Sequence, residues 1–531
     1  MVGTYLSNSA DFIVIWLGLW CIGCAPAMLN YNLKGESMVH CLKIAGVKVV
    51  FVDAEDEVQA RFSECAAKVA DMGVTAFTVD EALLEKVGKA SVQVPGDEYR
   101  EGVQGSDPVC LLYTSGTTGL PKAGKFMTNR FHERSNPNYV PFGQKAGPGG
   151  DRWYCCMPLF HGTGGLAVMA ALTSGISVAV GKKFSVSTFW DDIHDSDSTF
   201  FVYVGEAARY LLMAPPHPRE RDHRLRGMYG NGMRPDVWTR FQERFNVPEV
   251  IEFFNSTEGV LAMAVHSTGP FTATCVGHNG AIIRRALHDI YVPVSIDAET
   301  GALARDPATG FVTRNAYTDG GEILVQVPSE DAFAGYHNNP DATAKKFERN
   351  VFKKGDLYYR SGDALRRDDD GRWFFLDRLG DTYRWKSENV STAEVAEVLG
   401  AFPRVDEAIV YGVLVPKHDG RAGCVALRLG DSTSPSSSAV DWAGLLSHAR
   451  AKLPKYAVPV FVRLIRAASN TDNQKQNKGP LRLEGIEVDK FGEKVVGGDK
   501  DEVFWVKPGA SAYVRFTEKD LEDLREGRVT L

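Results

Sequence analysis

Short runs of β-branched and aromatic residues, Val47 to Val52, Phe200 to Val204 and Ile323 to Val327, alternate along the chain with stretches whose apolar positions fall at helical spacing. This alternation predicts parallel sheets with crossover helices, because strands covered on both faces read as continuous apolar runs. After about residue 380 the texture changes. Ser391-Thr392-Ala393-Glu394 reads as a capping box opening a helix over Val395, Val398 and Leu399, Gly400 ends it, and Val405 to Val415 follows as a strand. A smaller α+β domain fits that region. No internal repeat is visible, and the one low-complexity piece, Asp431 to Ser438, reads as a solvated loop.

One apolar stretch stands apart. From Phe12 to Leu29 the chain runs 18 residues without a charge, directly after Asp11. At about 1.5 Å per helical residue that is the lower edge of a membrane span. Gly18, Gly23 and Pro26 interrupt it, so the favoured reading is a buried helix to about Ile22 and then a short buried strand, with contact to a membrane surface as the alternative. No basic segment precedes it, as a secretory leader would require. The abrupt apolar opening reads as an entry in mid-domain, with a front part missing. It predicts uncovered apolar surface near Phe12 to Leu29.

Composition narrows the class. The 531 residues hold 60 Lys+Arg against 67 Asp+Glu, a net charge of −7, and 44% are hydrophobic. That suits an intracellular enzyme of about two to four domains and excludes a small disulfide-stapled module. Without basic clusters to neutralise phosphates, a nucleic-acid partner is excluded as well. The nine cysteines are scattered, and Cys21-Ile22-Gly23-Cys24 lacks the second pair of a metal site, so they read as buried thiols.

The chemistry is concentrated in Tyr113-Thr114-Ser115-Gly116-Thr117-Thr118-Gly119-Leu120-Pro121-Lys122. Two glycines let the backbone approach a phosphate, hydroxyls and N–H groups donate to its oxygens, and Lys122 adds a positive charge. The loop is not a P-loop, because Lys122 follows proline and not glycine.

This segment resembles the signature loop of the adenylate-forming superfamily of acyl-CoA synthetases, luciferases and adenylation domains. Further segments are similar to family motifs in the right order. Met157 to Gly165, with His161 and Gly162, is similar to the acyl-pocket segment. Gly230-Asn231-Gly232 resembles the shelf under adenine, and Glu252-Phe253-Phe254-Asn255-Ser256-Thr257-Glu258-Gly259 the block holding adenine, phosphate and magnesium. Tyr359 to Asp363 and Asp377-Arg378 resemble the ribose-contacting segments. Asp381 to Thr392 and Phe201 to Leu211 are similar to signatures of one branch, the fatty acid transport proteins and very-long-chain acyl-CoA synthetases.

The resemblance implies the adenylate-forming fold: a large N-terminal domain of mixed, largely parallel sheets (1–379), a mobile C-terminal domain (380–531) and a hinge at Gly380. It implies ATP, Mg²⁺ and coenzyme A as cofactors, and fatty acid as substrate. Glu258 would ligate the metal, which takes one or two carboxylates besides phosphate oxygens. Thr257 would meet the α-phosphate and Phe254 would stack on adenine. Trp385, Lys386, Glu388 and Asn389 would face coenzyme A in the second half-reaction. The catalytic lysine falls at Lys475, with Lys478 as its rival.

One placement has a geometric argument of its own. Asp368-Asp369-Asp370-Gly371 reads as a hairpin signal with Asp370-Gly371 as a two-residue type I′ turn. Equal steps back and forward from that turn set Asp363 opposite Arg378, where carboxylate and guanidinium would bracket a ribose diol; a bulge would shift the register by one.

The leading expectation is AMP-forming activation of long- or very-long-chain fatty acids in an intracellular, membrane-associated enzyme. A fatty acid transporter or binding protein and an inactive remnant are the competing readings.

Overall fold

The computed structural model describes residues 1–114, 120–135, 143–256, 259–297, 301–386, 388–418, 420–430, 440–465, 476, 478–487 and 501–531. Two six-stranded sheets form the body of the N-terminal part. The first runs in the order Thr75–Val79, Val49–Asp53, Val2–Tyr5, Pro26–Met28, Pro108–Thr114, Lys122–Met127, parallel except for its last pair. The second runs Ala262–Ser267, Glu249–Asn255, Gly227–Asn231, Phe200–Val204, Arg152–Cys155, Ser177–Val180, parallel except for its first pair. One apolar core joins the two sheets through Phe12, Trp16, Met157, Phe200 and Val250. Every side chain of Phe200–Val204 is buried, which is why that strand reads as an unbroken apolar run.

A third sheet is antiparallel and contains the hairpin Leu357–Arg367 and Arg372–Arg378. Beyond it, a five-stranded sheet with the helices Thr392–Gly400 and Trp442–Lys452 encloses a separate core from Tyr383 to Leu524. The adenylate-forming arrangement expected from the motifs is therefore present: mixed, largely parallel sheets first, then a smaller α+β unit.

The helix Ala10–Cys21 is capped by Ser9, whose Oγ accepts from the Phe12 amide at 3.1 Å. The short strand Pro26–Met28 that follows it is buried. The helix is buried on one side only. Phe12, Trp16 and Leu19 face the core, whereas Val14 is 62%, Leu17 37% and Ile22 40% exposed. Cys21 is exposed and Cys24 half-buried, so the expectation that all the cysteines are core thiols fails at this pair. Among the described residues no helix is long and apolar enough to cross a membrane.

The hairpin turn also differs from expectation. Asp368 donates its amide to the Arg372 carbonyl, and Gly371 has φ +89°, so Asp369-Asp370-Gly371 is a three-residue loop and not a two-residue turn. That alone would misplace the strands by one residue. A bulge at Leu376 restores the register, and Asp363 stands opposite Arg378.

Candidate active site

In a sheet of parallel strands, ligands bind at the carboxyl ends. Phe200–Val204, Gly227–Asn231 and Glu249–Asn255 lie side by side with Tyr203, Gly230 and Glu252 in one row. A Cβ at Gly230 would fall 2.7 Å from the Tyr203 ring, so only glycine lets that ring cross the middle strand. The Tyr203 hydroxyl donates to Glu252 Oε2. Glu252 Oε1 accepts from the amides of Gly232 at 2.6 Å and Met233 at 3.3 Å. Burial pushes the Glu252 carboxyl up to about 8.

Asn231 in the same turn is tied to the segment Met157 to Gly165: Thr163 Oγ1 donates to its Oδ1 at 2.9 Å. The Thr163 amide in turn donates to His161 Nδ1 at 3.3 Å, at the start of the π turn Gly162–Leu166. A Cβ at Gly165 would lie 2.9 Å from the Trp16 ring, so the helix Ala10–Cys21 packs directly on this segment.

Thr114 and Lys122 pair across the two strands that flank the glycine-rich loop, whose residues Ser115 to Gly119 lie outside the described residues. Lys122 Nζ stands 5.1 Å from the centroid of the Tyr336 ring, and the His337 amide donates to Ala123, which fixes the third sheet against this hairpin. Arg130 lies over the Phe126 ring and donates to Asn255 Oδ1 at 2.6 Å. Phe254 meets Phe375 at 5.9 Å, and Ser256 closes a turn with the Gly259 amide. Thr257 and Glu258 lie outside the described residues. The first, second and third sheets therefore converge on one region.

Arg378 Nε is 3.7 Å from Asp363 Oδ1, the carboxylate shielded and the guanidinium side chain 63% exposed. Next to it Asp377 reaches across Gly380: its carboxylate accepts from the amides of Thr392 at 2.5 Å and Ala393 at 3.3 Å. Ser391 caps the same helix, accepting from the Glu394 amide. The structure shows no reciprocal bond from the Glu394 side chain; Asp377 takes the first amides instead. The helix also runs through Gly400 and ends at Ala401.

Gly380 and Asp381 are held by the helix Lys478–Glu484. Arg482 donates to the Gly380 carbonyl at 3.2 Å and to Asp381 Oδ1 at 2.9 Å, while Lys478 lies 3.1 Å from Asp381 Oδ2 and donates to Thr392 Oγ1 at 2.8 Å. Burial raises the Asp381 carboxyl, but Lys478 and Arg482 outweigh it and hold the group below its ordinary range. Lys478 is thus occupied beside Gly380; Lys475 lies outside the described residues.

In the hairpin beyond Gly380, Trp385 is buried in the C-terminal core, whereas Lys386, at φ +51°, and Glu388 are exposed and Asn389 stands opposite Arg384. Trp385 therefore anchors the hairpin and does not itself face outward. The two parts of the chain meet at Arg209, which pairs with Glu206 and with Glu407 at 3.2 Å and donates to the Asp406 carbonyl. Arg234 adds a bond to the Ala396 carbonyl at 2.8 Å.

Arg130 was not singled out by sequence reasoning, whereas Glu252, Tyr203 and Arg209 lay inside segments matched to the family but were given no role of their own. For Glu252 a signal existed: a carboxylate inside the apolar strand Val250-Ile251-Glu252-Phe253-Phe254. Among the described residues no group of three His, Cys, Asp or Glu side chains forms a metal site.

The structure thus holds a turn at the ends of parallel strands, a carboxylate beside a guanidinium and a lysine flanking a glycine-rich segment. The family described as AMP-binding enzyme matches residues 1–336, and its C-terminal domain matches residues 394–475. The chain belongs to this family. It is 48% identical over 99% of its length to isopenicillin N epimerase component 1 of Hapsidospora chrysogena, covering 81% of that protein. To the very long-chain fatty acid transport protein of Cochliobolus heterostrophus it is 38% identical, covering 100% of this chain and 80% of that one. To the medium/long-chain-fatty-acid–CoA ligase FadD6 of Mycobacterium tuberculosis it is 34% identical over 99% of this chain and 83% of that one. Among solved structures, ATP-bound MatB from Rhodopseudomonas palustris superposes with a TM-score of 0.71 at 21% identity, covering 91% of this chain and 88% of that chain, which shows the fold.

Proposed function

We propose that the chain is an ATP-dependent, AMP-forming acid–thiol ligase acting on long- or very-long-chain fatty acids. What supports this reading is the pairing of Asp363 with Arg378 at 3.7 Å, together with a turn, Gly230–Gly232, at the carboxyl ends of parallel strands. The acid's carboxylate attacks the α-phosphate, an acyl-adenylate forms and pyrophosphate leaves; the coenzyme A thiol then displaces AMP. Lys122 and Lys475 offset the charge of the approaching anion, since an anion must be brought against a triphosphate. Asp363 and Arg378 hold the ribose diol, Phe254 stacks on adenine, and Asn255, Ser256 and Thr257 line the phosphate side. Magnesium, held by Glu258, would offset further phosphate charge. His161 and Gly162 line the acyl pocket. Residues 380–531 turn about Gly380 to bring Lys386, Glu388 and Asn389 toward coenzyme A.

The test is ATP–pyrophosphate exchange across acids from short to very long, with isopenicillin N, named in the relative at 48% identity, included. Exchange stimulated by long-chain acids supports the proposal. Stimulation by isopenicillin N alone would move the substrate class and keep the chemistry, and exchange indifferent to every acid would sink it.

A membrane-associated role in uptake is favoured by one observation: Val14 and Leu17 on the helix Ala10–Cys21, and Ile22 just after it, form an uncharged exposed stripe, and the other side of the helix packs on the segment Met157 to Gly165. We propose that this stripe rests on a lipid surface. Val14→Glu with Leu17→Glu is expected to abolish co-sedimentation with phosphatidylcholine vesicles; unchanged binding refutes it. Uptake that survives Glu258→Ala would show transport without activation.

A further inference from the structure

The first sheet has one covered edge and one open edge. At the covered edge Gly124, in the strand Lys122–Met127, makes a bridge to Tyr336. At the other stands Thr75–Val79, paired in parallel with Val49–Asp53 on its inner side and, among the described residues, with no strand on its outer side. Thr75, Ala76, Phe77 and Thr78 are exposed and Val79 is half-buried. A bare row of N–H and C=O groups is a template for another strand, so edges are ordinarily guarded by a charge, a proline or a bulge. This one carries none of the three. The helix that follows is equally uncovered. Glu81–Lys89, capped by Asp80 at the Leu83 amide, buries none of its residues, and Leu84 and Val87, three apart on one face, are 38% and 60% exposed.

We propose that Thr75–Val79 and Glu81–Lys89 form an isologous interface with a second copy of this chain, the two edge strands pairing antiparallel about a two-fold axis normal to the sheet. The strand is complementary to itself. Paired over its full length it sets Phe77 opposite the partner's Phe77, Thr75 opposite the partner's Val79 and Ala76 opposite the partner's Thr78, so that no charge meets a like charge. Phe77 lies 6.1 Å from Phe51, and the aromatic contact continues across the axis. Such an axis also keeps each helix on its own face of the sheet and lays the two side by side, antiparallel. Leu84 and Val87 of one helix then meet those of the other, and the acidic start of one, Asp80 and Glu81, comes beside the basic end of the other, Lys86 and Lys89. Glu85 meets Lys89 within one helix, which leaves Glu81 and Lys86 to pair across. A lipid surface is the poorer occupant, because it would leave the outer N–H and C=O groups of the strand unpaired in an apolar medium. The interface uses none of the residues assigned to nucleotide, acid or coenzyme A, so it stands or falls apart from the ligase reading.

The experiment is sedimentation equilibrium of the full chain at micromolar concentrations, with circular dichroism as the check on folding. Wild type is expected at twice the chain mass. Phe77→Lys, which sets two like charges opposite each other, should weaken association about tenfold or more, and Phe77→Glu should do the same. An equimolar mixture of the two variants should regain the dimer, because pairing of this strand with itself puts the lysine opposite the glutamate. Wild type that stays monomeric overturns the proposal, as does a dimer untouched by Phe77→Lys or a mixture that stays monomeric. If the Phe77 variants do not fold, Val87→Lys on the exposed helix face decides: weakened association supports the interface, and an undiminished dimer overturns it.

Discussion

Glu252 holds a proton in the folded chain that the unfolded chain gives up, since its carboxyl stands at about 8 against an ordinary 4.5. A raised carboxyl contributes stability that is fully present below about pH 4.5 and is lost as pH rises through 8. Glu252→Gln removes the titration. Between pH 5 and 8 the wild type should therefore lose stability relative to this variant by about 1.4 kcal/mol per pH unit, measured by denaturant unfolding at several pH values. Parallel stability curves for the two proteins would show that Glu252 does not titrate there. The two lysines near the C-terminus divide in the same way between chemistry and structure. Lys478, paired with Asp381 and Thr392, should on replacement by alanine lower the melting midpoint by a few degrees and leave adenylation in place. Lys475→Ala should stop adenylation and spare thioester formation from supplied acyl-adenylate.

The helix Thr392–Gly400 shows what can and cannot be read along a chain. Its start at Ser391 was visible, because a capping hydroxyl lies three residues from the amide it serves. The carboxylate that takes its first amides comes from Asp377, fourteen residues before the cap, and no local pattern announces it. Asp377→Ala should destabilise the helix by about 1–2 kcal/mol, read as faster amide exchange at Thr392 and Ala393, whereas Asp377→Asn should lose less; equal protection in all three proteins would show the contact to be idle. Strands such as Phe200–Val204 were legible for the opposite reason: full burial writes itself into every residue. Helix Ala10–Cys21 and the uncovered apolar surface beside it were legible from the uncharged run, but which of its sides is covered was not, because an apolar sequence does not mark it. The pairing of Asp363 with Arg378 was foreseen through a turn of the wrong length, and only the bulge at Leu376 made the forecast right.

At the scale of the molecule, polar contacts attach residues beyond Gly380 to the sheets that precede it. Arg209 makes one of the buried ones. Its own burial pulls its guanidinium down, but Glu206 and Glu407 more than offset that, while burial raises the Glu407 carboxyl despite Arg209. Removing one partner of such a cluster leaves the other charge uncompensated, at a cost of about 3–5 kcal/mol. Arg209→Ala should therefore release the C-terminal part, seen as faster proteolysis between Leu379 and Asp381 with ATP binding unaltered; an unchanged cleavage rate would mean that the contact holds nothing. The strand Arg372–Arg378 leads straight into that joint, and this gives the paired irregularities of its hairpin an evolutionary consequence. The hairpin behaves like a reading frame. Deleting one residue from the Asp369-Asp370-Gly371 loop would turn every side chain beyond it to the opposite face, Arg378 included, and would swing the whole C-terminal part with it. A second deletion, of Leu376, would act as its suppressor, so lineages that shorten this hairpin should do so by two residues or not at all.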